Sequence, residues 1–117
     1  MTHRKPRPIV GRIDIERIRE DIEQGIRFYI NPCRHDENLV PRLSRDLERL
    51  MAWSETQLAT GTPGSAGYAV QEKALARARR VTEQKVPEGV RALQDYVFGL
   101  YMAVSGLLCA YEGMHRP

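Results

Sequence analysis

Apolar residues recur along the chain at spacings of three and four, and nowhere alternate with the period of two that marks a strand. Ile15, Ile18, Ile22, Ile26 and Tyr29 fall on one stripe, with Glu16, Arg17, Glu20 and Glu23 off it. This spacing predicts a first helix. Asp14 suits its N-cap, and Ile13 and Ile18 stand where a hydrophobic staple places them. NPCRHDEN, residues 31–38, ends this helix and leads to a second, which Asp36 or Asn38 caps and whose first turn tolerates Pro41. Leu43, Leu47, Leu50, Met51, Ser54 and Leu58 make its inward face, with Trp53 toward the edge, packed under a loop. TGTPGSAG, residues 60–67, breaks the pattern. An alanine-rich third helix follows over 68–85, turning Leu75, Ala78 and Val81 inward.

KVPEG separates it from the fourth helix, which Pro87 opens at its first position. Val90, Leu93, Val97, Leu100, Val104, Leu107 and Tyr111 alternate spacings of three and four, a heptad seam. Four helices with short connections predict an all-α fold, an antiparallel four-helix bundle over residues 13–113. Residues 1–12, with Pro6, Pro8 and Gly11, read as a flexible basic tail.

The fourth helix contains YVFGLYMAVSGLLCAY, residues 96–111, without one charge. At about 1.5 Å per residue this stretch reaches roughly 24 Å, short of the ~30 Å hydrocarbon core of a bilayer. It reads as a soluble helix that must be covered on every side. Beside the seam lie Gly99, Ala103, Gly106 and Ala110, spaced four, three and four. They form a groove of small side chains that lets another backbone come close. Either another helix of the chain fills it, or the same helix of a second copy does, across a two-fold axis. The second arrangement, a homodimer through the last helix, is the expectation for self-association.

Composition adds compartment and charge. Two cysteines in unlike surroundings, Cys33 and Cys109, suggest no disulfide framework, and a cytoplasmic setting fits. Cys109 reads as a packed core thiol. The net charge of +3 is uneven: residues 1–12 carry +4, residues 13–60 carry −3 and residues 61–117 carry +2. Arg4, Lys5, Arg7 and Arg12 of the tail, with Lys73, Arg77 and Arg80 at i, i+4 and i+7 on the third helix, would form a footprint for phosphates. A nucleic-acid-associated protein is therefore the alternative to one that works through protein contacts.

Catalytic constellations are scarce. Cys33, His35, Asp36 and Glu37 cluster in CRHDE, but a structural zinc site wants a second pair of ligands and none follows. Neighbouring carboxylates such as Asp46 and Glu48 point apart on a helix, and no phosphate loop follows a strand. The expectation is a non-enzymatic, regulatory or accessory module with no metal or cofactor. A small-molecule pocket inside the bundle, near Met51, Trp53, Tyr96 and Tyr101, is a further alternative.

LVPRLSRDLERLMAWSETQL, AVQEKALARARRVTEQ and the closing VSGLLCAYEG resemble a family of short actinobacterial helical proteins, common in streptomycetes, to which no activity is assigned. The resemblance spans residues 38–113. Cys109, Ala110, Tyr111 and Glu112 stand where that family ends its last helix in LLDHYE, Cys-Ala replacing Asp-His. The family carries arginines where this chain has Gly99, Tyr101 and Met102, so a more deeply buried or dimeric last helix is expected here.

Overall fold

The computed structural model describes residues 13–33 and 36–114. It contains four helices: α1 (Ile15–Ile30), α2 (Leu39–Thr60), α3 (Ala66–Thr82) and α4 (Val90–Met114). Among the described residues there is no strand. The tail and its four cations, with Arg34 and His35, lie outside the described residues.

Local chemistry starts and stops each helix. Asp14 caps α1, its side chain accepting from the Arg17 N–H at 3.2 Å, and Ile13 and Ile18 are both buried as the staple requires. Asn38 stands at the N-cap of α2 without a side-chain bond of its own, and Asp36 accepts its N–H at 2.8 Å. The third helix begins two residues before the expected start, because Ser65 caps it by accepting from the Tyr68 N–H at 3.2 Å. The fourth begins at Val90 rather than at Pro87. Gly89, with φ of 95°, turns the chain into it from the left-handed region that favours glycine.

Contacts fix the helix directions. The Gln94 side chain donates to the Tyr29 carbonyl at 2.8 Å while Arg19 pairs with Glu112, so α1 and α4 are antiparallel. Asp21 with Arg42 sets α1 against α2, and Arg79 with Glu55 sets α2 against α3, again antiparallel. Trp53 meets Tyr111 edge-on, and α2 and α4 run parallel along the centre of the bundle. The fourth helix packs on all three others, while α1 and α3 do not touch. It is the axis of the fold.

Leu43, Leu47, Leu50, Val97, Leu100, Val104 and Leu107 are almost wholly enclosed. Each such side chain contributes about 1.5–3 kcal/mol through burial. The third helix adds Leu75, Ala78 and Val81 as its stripe predicts. The first helix differs from its predicted stripe. Ile18 is buried, but so are Asp21, Gly25 and Phe28, while Ile26 and Tyr29 stay more than a third exposed. The reason is position: α1 lies in the notch between α2 and α4, so two neighbouring faces of it are covered. Trp53 is buried against Tyr111 rather than under a loop, and Val90 at the head of the seam is exposed.

Candidate functional site

The uncharged stretch of α4 is covered on three sides and bare on the fourth. Val97, Leu100, Val104 and Leu107 join the leucines of α2 in the core. Tyr101 seats on α1, where a Cβ at Gly25 would stand 3.0 Å from the Tyr101 ring, so the missing side chain at Gly25 is what admits it. On the α3 side Ala103 is only 1% exposed, and a Cβ at Gly99 would meet Val81 at 3.9 Å. By length and composition α4 also suffices to cross a membrane. In this fold three of its faces are occupied by the chain itself.

This corrects the predicted groove. Gly99 and Ala103 are the seat of α3 within the same chain, because alanine-rich α3 comes close enough to need small side chains opposite. Ala103 is enclosed there, and Gly99 keeps only part of its surface free. Gly106 does not share that seat: a Cβ there meets nothing within 4 Å. Ala110 lines a cleft described below.

The bare side of α4 carries Phe98, Met102, Ser105, Gly106, Cys109 and Gly113, which fall within about 100° at 100° per residue. Phe98, Met102 and Cys109 are exposed. Cys109 is thus an outward thiol and not the core residue its apolar neighbours suggested. Tyr29 of α1 packs against Phe98, the rings tilted at 36° with centroids 5.0 Å apart, and continues this surface toward Ile26 and Ile30. Ile26, Tyr29, Phe98 and Met102 expose 38–40% of their surface each, and Ile30 exposes 74%. At about 200 Å² for a fully exposed large side chain, these five present roughly 450 Å². That exceeds half of the ~800 Å² each partner contributes to a standard interface.

Lys73, Arg77 and Arg80 stand exposed on the outer side of α3, without an ion pair among the described residues. Arg79 beside them is held by Glu55 at 3.1 Å.

A second feature escaped the apolar pattern altogether. Asp21 and Asp46, 5% and 6% exposed, face each other between α1 and α2. Arg42 donates through Nε to Asp21 at 3.0 Å and through an Nη to Asp36 at 3.0 Å. Oδ2 of Asp46 is buried with no donor reaching it. Burial, then the hydrogen bond to Asp21 and the charge of Asp21, push the Asp46 carboxyl up to about 8, against the smaller pull of Arg17 and Arg45. Two ionised carboxylates cannot bond to each other, so the contact requires the proton that Asp46 keeps. Among the described residues no group of three His, Cys, Asp or Glu side chains is placed to hold a metal ion.

The third feature is a cleft of about 640 Å³ where the end of α2, the turn to α3 and the end of α4 meet. None of Met51, Trp53, Tyr96 and Tyr101, the residues expected at a pocket, lines it. Tyr68 lies over Gly61, where a Cβ would stand 3.2 Å from its ring. Val70, Ala110 and Met114 supply further apolar wall, and Gln57 and Gln71 the amides. Comparison of the chain with protein-family models, curated proteins and solved structures gives no match.

Proposed function

We propose that the protein is a small cytoplasmic helical module that acts through protein–protein contact rather than catalysis, in a regulatory or accessory role, and that it pairs with a second copy through the bare side of α4. The likeness of residues 38–113 to the actinobacterial family belongs to the same proposal. The observation that supports it is the division of that side into two unlike halves. Phe98 and Met102 are large and lie toward the N-terminal end, whereas Ser105, Gly106 and Cys109 are small and lie toward the C-terminal end. In an isologous contact residue i meets j and j meets i. A two-fold axis between Met102 and Ser105 therefore sets each Phe98 over the partner's Cys109 and each Met102 over the partner's Ser105 and Gly106. Large side chains fill the space that small ones leave. Asp95 then comes level with the ion pair of the partner's Arg19 and Glu112, whose arginine is the more exposed member.

Dilution of an isotope-labelled sample tests this residue by residue. The amides of Phe98, Met102, Gly106 and Cys109, with Ile26 and Ile30, should shift together between high and low micromolar concentration, and those of Lys73 and Arg77 should not. Concentration-independent spectra would end the proposal.

One observation favours a second reading, contact with nucleic acid: Lys73, Arg77 and Arg80 share an exposed side with no acidic partner among the described residues. Each phosphate contact contributes about 0.9 to the slope of log affinity against log salt on duplex DNA. If these three bind phosphate, replacing them all by glutamine should lower that slope by about 2–3. Affinity that ignores both salt and the substitutions would dismiss the reading.

A further inference from the structure

We infer that the cleft between the α2–α3 turn and the end of α4 is a binding site for a small amphipathic carboxylic acid, one negative charge on an apolar body. Gln71 carries the argument. It continues the inward stripe of Leu75, Ala78 and Val81 by one turn, at a position where a bundle would place another apolar side chain. Its side chain is 9% exposed, lines the cleft and has no hydrogen-bond partner among the described residues. Its amide atoms are not sealed from solvent, so a ligand in the cleft can take over the bonds that water makes there.

The first turn of α3 opens onto the same cleft. The Tyr68 N–H is taken by the Ser65 hydroxyl and the Ala69 N–H by the Ser65 carbonyl. The N–H groups of Ala66 and Gly67 have no acceptor among the described residues. A Cβ at Gly67 would meet nothing within 4 Å, so a ligand has room beside it. Two free N–H donors at the positive end of a helix of 17 residues favour an anion. The Gln71 amide adds a third donor and an acceptor.

The walls set the rest of the ligand. Among the described residues no charged side chain lines the cleft. A helix end supplies only about half an elementary charge, so one carboxylate is matched and a phosphate dianion is not. Tyr68, Val70, Ala110 and Met114 ask for an aromatic or short aliphatic body. The volume of about 640 Å³ falls in the range of ordinary ligand sites. On α4 the cleft borders the proposed pairing face, Gly113 belonging to both, while its donors, Ala66, Gly67 and Gln71, lie on α3.

Phenylacetate and octanoate are the probes, with phenylacetamide and octanol as uncharged counterparts, each titrated into the isotope-labelled full chain. The acids should move the Ala66 and Gly67 amides and the Gln71 side-chain amide saturably in the millimolar range or below, and the uncharged counterparts should bind more weakly. Gln71→Leu should fold, since it extends the stripe, and should weaken binding by roughly tenfold or more, as expected when a site loses a buried polar partner. Ala110→Leu narrows the cleft from α4 without touching the donors and should weaken the same titration. Absence of a saturable shift with either acid overturns the inference. So does binding by the uncharged counterparts as strong as by the acids, or binding that survives both substitutions unchanged.

Discussion

Asp46→Asn should be more stable than the wild type at pH 8 and no more stable at pH 4.5. In the folded chain Asp46 holds its proton up to about 8, whereas in the unfolded chain it gives it up near 3.9. Between those values the native state binds a proton that the unfolded state does not, so this group makes stability fall as pH rises. Its contribution is fully present below the unfolded value and lost as pH climbs through about 8. The slope approaches 1.4 kcal/mol per pH unit at most. Allowing for relaxation around the pair, the difference between the two proteins should change by on the order of 3 kcal/mol from pH 4.5 to pH 8. Asparagine keeps the shape of the neutral acid at every pH and removes that slope. Urea denaturation of both proteins at several pH values reads the difference directly, and other carboxyl groups cancel in the comparison. Curves that stay parallel across the range would show that Asp46 is not held protonated. Arg42→Met in the same assay should cost about 2 kcal/mol, because it leaves Asp21 buried without its cation. Asp21→Asn should restore most of the loss.

Gly106→Leu should give opposite signs in the two states of association. Among the described residues the position is open, with no atom within 4 Å of an added Cβ, and leucine in a helix interior is favoured over glycine by about 0.8–1 kcal/mol. The single chain should therefore unfold at a higher temperature. In the proposed pair, Gly106 would receive Met102 of the second copy. Four heavy atoms placed there cost about 1–3 kcal/mol by overpacking, and the two-fold axis repeats the cost. The dissociation constant should rise roughly thirty-fold or more. Phe98→Glu attacks the opposite half of the face, setting a charge against the partner's Cys109, and should produce single chains that remain folded. A Gly106→Leu protein with unchanged association would place the contact elsewhere.

The seam of α4 could be read directly, because a central helix is enclosed by apolar neighbours and spacing alone then picks the inward positions. Val97, Leu100, Val104 and Leu107 are buried for that reason. At the ends and edges the same rule weakens: Val90 follows the seam yet lies beyond the reach of α2, and Ile26 follows the stripe of α1 on a side nothing covers. Asp21 and Asp46 were passed over because an apolar pattern skips polar letters. The sequence did hold a signal, since Asp46 falls between Leu43 and Leu50 on the inward arc of α2 with Arg42 one turn before it. Small residues told of close approach without saying whose. Gly99 and Ala103 admit α3, Gly25 admits Tyr101, and Gly106 admits nothing among the described residues. Only the packed helices separate these cases. Gln71 reads as an ordinary surface letter until Leu75, Ala78 and Val81 are seen to point the same way.

Sedimentation equilibrium of the wild-type chain over low to high micromolar concentration tests the central claim, that the bare side of α4 meets its own copy. Phe98 and Met102 seated over Ser105, Gly106 and Cys109 predict a weight-average mass that climbs from 13.4 kDa toward twice that value. The same run on Phe98→Glu should stay at the mass of one chain. A wild type that remains at 13.4 kDa at the highest concentration contradicts the account.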